Sequence, residues 1–181
     1  MTLNLQASDF VLFGVPEQFR QDAVAIDAQW KQLLREAHPD RFAAQGAASQ
    51  RLAMQWAVRI NEAYQRLKDP MRRAAYLCER WGVPVDAERN TAMPPAFLMQ
   101  QMEWREELED AGDDIDVLER LLSRTRIARQ QLLAEVERSL DEAGDRSPSE
   151  RATAAASHVR ALMFIERFSA EVNQKLMQLE S

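Results

Sequence analysis

Residues 22–70 read DAVAIDAQWKQLLREAHPDRFAAQGAASQRLAMQWAVRINEAYQRLKDP, two helical patterns separated by one proline-bearing corner. In the first half Ala23, Ile26, Trp30, Leu33, Leu34 and Ala37 recur three and four residues apart, which places them on one face of a helix. Pro39 sets its end, because the proline ring disfavours helical backbone in the residue before it, so the helix from Asp22 stops by Ala37 and His38 lies outside. After a loop through Gly46, the stripe Leu52, Trp56, Ile60, Ala63, Tyr64 and Leu67 predicts a second long helix over 47–68. Two amphipathic helices joined by a short loop bury their stripes by pairing antiparallel.

Outward from this hairpin the same reading continues. Upstream, SDFVLFGVP (8–16) is a short capped element with Ser8 or Asp9 as cap, Phe10, Leu12 and Phe13 as apolar members, and Gly14 and Pro16 as the stop. Downstream, Asp69 caps and Pro70 opens a shorter helix that runs to Trp81 and ends at Gly82. Residues 82–95, GVPVDAERNTAMPP, hold three prolines and no helical period, the pattern of a linker. Beyond it three helices are predicted, over 96–111, 114–143 and from Ser147 to near the end. The last opens on a capping box, Ser147 and Glu150 around Pro148. The middle one carries Ile115, Leu118, Leu122, Leu132, Leu133, Val136 and Leu140; the last carries Ala155, Val159, Leu162, Ile165, Val172, Leu176 and Leu179. The chain therefore reads as all-α, with a domain at 1–81, a linker at 82–95 and a three-helix bundle at 96–181.

Composition agrees. Of 181 residues, 46% are apolar and 29% charged, and only 5 are glycine, the balance of a folded, helix-rich chain. A net charge of -6 argues against nucleic acid as partner, since phosphate neutralisation requires a surplus of Lys and Arg. Cys78 is the sole cysteine, which excludes an internal disulfide and a cysteine-based zinc site. His38 and His158 are the only histidines, too few for a metal site, and no nucleophile sits in a motif with either; no metal, no cofactor and no enzymatic activity are expected. The start lacks a secretory pattern and no stretch approaches a membrane span, so the expected setting is cytoplasmic, off the membrane, with the two closed bundles serving as a monomer.

The residues that speak to function are His38, Pro39 and Asp40. Pro39 fixes one backbone dihedral and stiffens the corner. Asp40 can accept charge-assisted hydrogen bonds from a partner's arginine, and His38 offers a donor and an acceptor. An isolated His-x-Asp is most often a surface loop with a local hydrogen bond. Here it stands between two amphipathic helices, after a short aromatic element ending in Gly14 and before NEAYQRLKDP (61–70), and in that setting the sequence resembles the J-domain family. More closely, FVLFGVP (10–16), AHPDRF (37–42), INEAYQRLKDP (60–70), MRRAAYL (71–77), AFLMQQMEWREELE (96–109) and ALMFIERF (161–168) resemble the HscB family of J-domain co-chaperones, which serve iron–sulfur cluster assembly.

That resemblance implies two partners. The first is an HscA-type, DnaK-family ATPase, whose hydrolysis the J-domain speeds by docking beside the interdomain linker without supplying a catalytic group. His38, Pro39 and Asp40 would face it, with Lys31, Arg35 and Arg41 beside them; the alternative for these cations is a solvated helix face, since Asp22, Asp27 and Glu36 dilute the charge. The second is the iron–sulfur scaffold IscU, assigned by resemblance to a ridge of Leu98, Met99, Met102, Glu103, Glu106 and Asp110 together with Phe164. Without the resemblance, burial is the commoner fate of Leu98 and Met102. Phe97, Trp104 and Leu108 occupy other angles of the same helix and are better core candidates. Ala37 and Arg41 depart from the aromatic and lysine usual around the corner, and Met102 and Asp110 replace leucine and glutamate, changes expected to tune affinity. The sequence has no N-terminal zinc-binding cysteine module and so resembles the bacterial type. The competing readings are an adaptor for a general DnaK chaperone with a different client, and a helical structural module in which the tripeptide is incidental.

Overall fold

The computed structural model describes residues 6–85, 92–142 and 144–179, and every regular element among them is helical. Residues 86–91 of the predicted linker, and Ala143 at the predicted end of a bundle helix, lie outside the described residues. The chain divides into two compact units, with the boundary between Leu77 and Cys78.

The first unit contains α1 (Asp9–Phe13), α2 (Ala23–Glu36), a 3-10 helix η1 (Pro39–Gln45), α3 (Ala47–Lys68) and most of α4 (Pro70–Arg80). Caps set the boundaries. The Ser8 hydroxyl accepts the Val11 amide, and Gly14 ends α1 at φ 62, a left-handed conformation that costs glycine nothing. Asp22 accepts the amides of Val24 and Ala25 at the head of α2, and Asp69 Oδ1 accepts that of Arg72 at 2.7 Å at the head of α4.

The hairpin of α2 and α3 is antiparallel. Trp30 stacks on Tyr64 with ring centroids 4.4 Å apart, and its indole N–H donates to Asn61 Oδ1 at 2.9 Å. One turn earlier on α2, Asp27 accepts the Tyr64 hydroxyl at 2.8 Å and lies 3.6 Å from Lys68 Nζ, so moving back along α2 means moving forward along α3. Ile26, Leu33, Ala37, Ile60, Ala63 and Leu67 fill the seam, and Phe10 and Phe13 of α1 close it. Each large side chain so buried contributes about 1.5–3 kcal/mol relative to exposure. Two expected stripe members, Ala23 and Leu52, are exposed instead. Ala53 and Trp56 take the inward positions, and Leu52 falls at the edge of the stripe. The predicted loop after Pro39 is wound into η1 rather than irregular.

The second unit consists of α5 (Pro95–Asp110), α6 (Ile115–Asp141) and α7 (Pro148–Leu179), together with the last turn of α4 and the segment after it. The capping box forms: the Ser147 amide donates to Glu150 Oε2 at 2.8 Å and the Glu150 amide to Ser147 Oγ at 3.4 Å. Leu118, Leu121, Leu132, Val136 and Leu140 of α6 meet Ala155, Val159, Leu162, Ile165, Val172 and Leu176 of α7 in the core, whereas Ile115, expected in that stripe, is exposed in the first turn of α6. Buried Arg160 donates from Nε to the Ala92 carbonyl at 2.6 Å and from Nη1 to that of Val85 at 3.2 Å, holding both ends of the connecting segment to α7.

Cys78 belongs to this unit, fully buried, with Sγ 3.8 Å from the Ala152 carbonyl. Burial pushes its thiol up to about 11, only partly opposed by the charge of Arg160. The thiolate is the reactive form, so the folded protein at pH 8 is expected to resist iodoacetamide and to react once denatured. Mass spectrometry of alkylated protein with and without denaturant checks this; rapid modification of the folded chain would show that the thiol is accessible.

Candidate partner-binding surfaces

The corner between α2 and α3 is built by local hydrogen bonding. Ala37 turns inward and is buried, which anchors the end of α2 and leaves the next three residues to project. His38 caps η1: its Nδ1 accepts the Asp40 amide at 3.3 Å, and its carbonyl accepts the Arg41 amide at 3.0 Å. A ring nitrogen that accepts carries no proton, so the neutral imidazole holds its proton on Nε2. The His38 side chain is 58% exposed and that of Asp40 90% exposed, with Nδ1 3.6 Å from Asp40 Oδ2. Both functional groups are thus offered outward on a turn stiffened by Pro39.

The cations expected beside the corner are brought to it. Lys31 and Arg35 are exposed on one face of α2, and Arg35 Nε donates to the Lys31 carbonyl at 3.3 Å. Arg41 folds back so that Nη1 reaches the Arg35 carbonyl at 3.4 Å, against the C-terminal end of α2 where a positive charge is favoured. The acids of α2 are engaged elsewhere: Asp22 caps the helix, Asp27 faces α3, and Glu36 accepts from Gln32 at 3.0 Å. Lys31, Arg35 and Arg41 thus make a basic edge that has the carboxylates of Glu36 and Asp40 as sequence neighbours.

The second surface lies on α5. Phe97, Trp104 and Leu108 face the core, as the sequence suggested. Leu98, Met99 and Met102 are 37%, 68% and 62% exposed, against the commoner fate of such side chains in a bundle. Glu103, Glu106 and Asp110 are exposed along the same helix and, with Glu107, Ala111 and Val117, line an open groove of about 430 Å³. Glu107 is turned to Arg124 of α6. Phe164 is half-buried on α7, its ring edge-on to Phe97 at 5.8 Å and stacked on Phe168 at 5.7 Å. It therefore joins α5 through Phe97, the neighbour of Leu98 in sequence. A signal for which stripe faces out was available: 97, 101, 104 and 108 carry no charge, whereas 98, 102, 106 and 110 end in carboxylates.

One residue the sequence reading passed over is Arg105. Its guanidinium lies 5.6 Å from the Phe164 ring centroid and 5.2 Å from that of Phe168, and Nη1 pairs with Glu171 at 2.6 Å. Its aromatic neighbours are distant in sequence, so no local pattern announces it. Among the described residues no group of three or more His, Cys, Asp or Glu is placed to hold a metal ion, and no helix is long and apolar enough to cross a membrane.

Comparison with known proteins sets this architecture in context. A family model described as the HSCB C-terminal oligomerisation domain matches residues 93–173. A co-chaperone protein HscB homolog from Burkholderia mallei is 48% identical over 180 residues, which cover 98% of this chain and 99% of that protein. Another from Burkholderia multivorans is 48% identical over 181 residues, 99% of each chain. Among solved structures, the chaperone HscB from Vibrio cholerae superposes with a TM-score of 0.78 at 35% identity, over 96% of this chain and 99% of that one. The human co-chaperone protein HscB has a TM-score of 0.84 at 20% identity, over 96% and 84%, a likeness of fold.

Proposed function

As the chain belongs to the HscB family of co-chaperones, with an all-α J-domain and a C-terminal helical domain, we propose that it binds an IscU-type iron–sulfur scaffold and presents it to an HscA-type ATPase, whose hydrolysis it stimulates. The observation that carries this reading is the exposed His38-Pro39-Asp40 corner with its basic edge, in a chain whose other unit leaves an apolar ridge uncovered. The corner can dock into the ATPase and bias its conformational equilibrium, so no catalytic group of this chain enters the reaction. Along α5 the flexible thioethers of Met99 and Met102 adapt to a client surface, Leu98 and Phe164 supply stiffer contact, and Glu103, Glu106 and Asp110 add register and steering.

Two measurements test it. Added to an HscA-type chaperone, the chain is expected to raise steady-state ATP hydrolysis, and no rise at saturating concentration sinks the proposal. In calorimetric titrations with IscU, Leu98→Ala and Phe164→Ala are each expected to weaken binding roughly tenfold, the usual effect of truncating an anchor residue. Stimulation without any IscU binding would point to an adaptor for a general DnaK chaperone serving another client.

A further inference from the structure

We propose that Arg105 is a positioning residue for the client ridge: braced by Glu171, its guanidinium holds the partly buried Phe164 ring in the orientation that meets the client. The inference rests on the reading of that ridge as the client site. Phe164 is the member of the proposed surface that comes from a different helix, so its contribution depends on how its ring is held against α5. Three neighbours hold it. Phe97 meets it edge-on at 81°, and Phe168 lies beneath it nearly parallel, at 12°. Phe168 in turn stacks on buried Trp104 at 5.8 Å, and Phe97 meets Trp104 edge-on at 6.0 Å, so the floor is a closed aromatic set.

The remaining contact is polar. Arg105 reaches both Phe164 and Phe168, and a guanidinium over ring faces is attracted by their quadrupoles. An exposed arginine would ordinarily sample many rotamers, but the 2.6 Å pair with Glu171, one turn beyond Phe168 on α7, keeps it over the rings. The helix geometry connects this to the ridge. Arg105 stands three residues after Met102 and seven after Leu98, hence on the flank of the Leu98–Met102 face. Glu171 and Arg105 are both about half exposed, so their pairing adds little to folding and its effect is expected on binding.

The experiment is a double-mutant cycle on binding of the full chain to IscU. Arg105→Ala is expected to weaken binding roughly threefold to tenfold, the scale of one cation–π contact. The melting temperature should be unchanged. Adding it to Phe164→Ala should bring no further loss, because the ring it orients is gone. Arg105→Lys, which keeps a cation but not the planar fork, is expected to recover part of the loss. In protein labelled with 4-fluorophenylalanine, the Phe164 resonance should shift in Arg105→Ala and in Glu171→Gln without client present. Additive losses in the cycle, or an Arg105→Ala protein that binds as wild type while Phe164→Ala is weakened, overturn the inference alone. If Phe164→Ala itself binds normally, the assignment of Phe164 to the client site fails and this inference fails with it.

Discussion

His38→Gln is expected to reduce the stimulation of an HscA-type ATPase to background while leaving the far-ultraviolet circular dichroism, the melting temperature and the affinity for IscU unchanged. The separation follows from where the residue sits. Within the chain its side chain caps η1, accepting the Asp40 amide, and a glutamine carbonyl at the same position can accept that bond, so the fold loses at most about 1 kcal/mol. What glutamine does not reproduce is the rigid ring that carries its outward-facing group on Nε2. Asp40→Asn supplies a graded control, since it keeps the shape and removes the charge. A charge-assisted hydrogen bond contributes about 1.5–3 kcal/mol, so chaperone affinity should fall by roughly tenfold to a hundredfold. The basic edge of Lys31, Arg35 and Arg41 is exposed and subject to screening, and Arg35→Ala should act mainly on the salt dependence of association. Undiminished stimulation by His38→Gln would remove the corner from the mechanism.

Much of this was readable in advance, for an identifiable reason. Each helix carries its information locally: an apolar period, a cap such as Asp22, Asp69 or Ser147, and a stop such as Gly14 or Gly82. The corner was legible because proline acts on its own neighbours. Periodicity is weaker where a helix has two apolar stripes, and α5 is the case in point. Both 97/104/108 and 98/102 recur at helical spacing; the carboxylates that continue the second stripe at 106 and 110 mark it as outward, whereas the residues of α6 and α7 that cover the first lie beyond the local pattern. The aromatic stripe wins because Trp104 and Phe97 have the larger area to bury against Phe164 and Phe168. The edges of stripes fail for a related reason: Leu52 and Ile115 stand where the partner helix offers no cover.

The larger omission concerns charge. A pattern reading counts Asp, Arg and Lys as surface, yet Asp9, Arg73 and Arg160 are buried, each with at least one partner far along the chain. Arg73 donates to the Phe19 carbonyl at 2.7 Å and to that of Leu67; Arg160 holds the carbonyls of Val85 and Ala92. Asp9, read as a possible helix cap, leaves that role to Ser8 and instead receives Arg59 and Arg66 at 2.6 Å each. No local signal distinguishes an aspartate that caps from one that will be enclosed, because the enclosing residues lie on α3.

Asp9→Asn should therefore destabilise the first unit strongly, by about 3 kcal/mol or more, the usual cost of removing one partner from a buried ion pair. The geometry argues for the full effect. The Asp9 side chain is wholly enclosed, and it is the one carboxylate between two guanidinium groups. Without it the two cations face each other with no carboxylate between them, and Arg59 Nη1 already lies buried with no hydrogen-bond partner. An asparagine amide would present N–H to N–H against at least one of them. For a domain of this size such a loss lowers the melting temperature by on the order of 12–24 °C. The effect should be local. Amide exchange is expected to accelerate in α1 and α3, which the triad joins, and to stay unchanged in α6 and α7. Arg66→Ala should cost less, since that side chain is already 39% exposed and leaves Asp9 paired with Arg59. Replacing all three by apolar residues, as in Asp9→Leu with Arg59→Met and Arg66→Met, should recover most of the loss, because the desolvation of the ions goes with them. Wild-type protection of α1 and α3 in Asp9→Asn would mean that the ion triad is not what fastens them together.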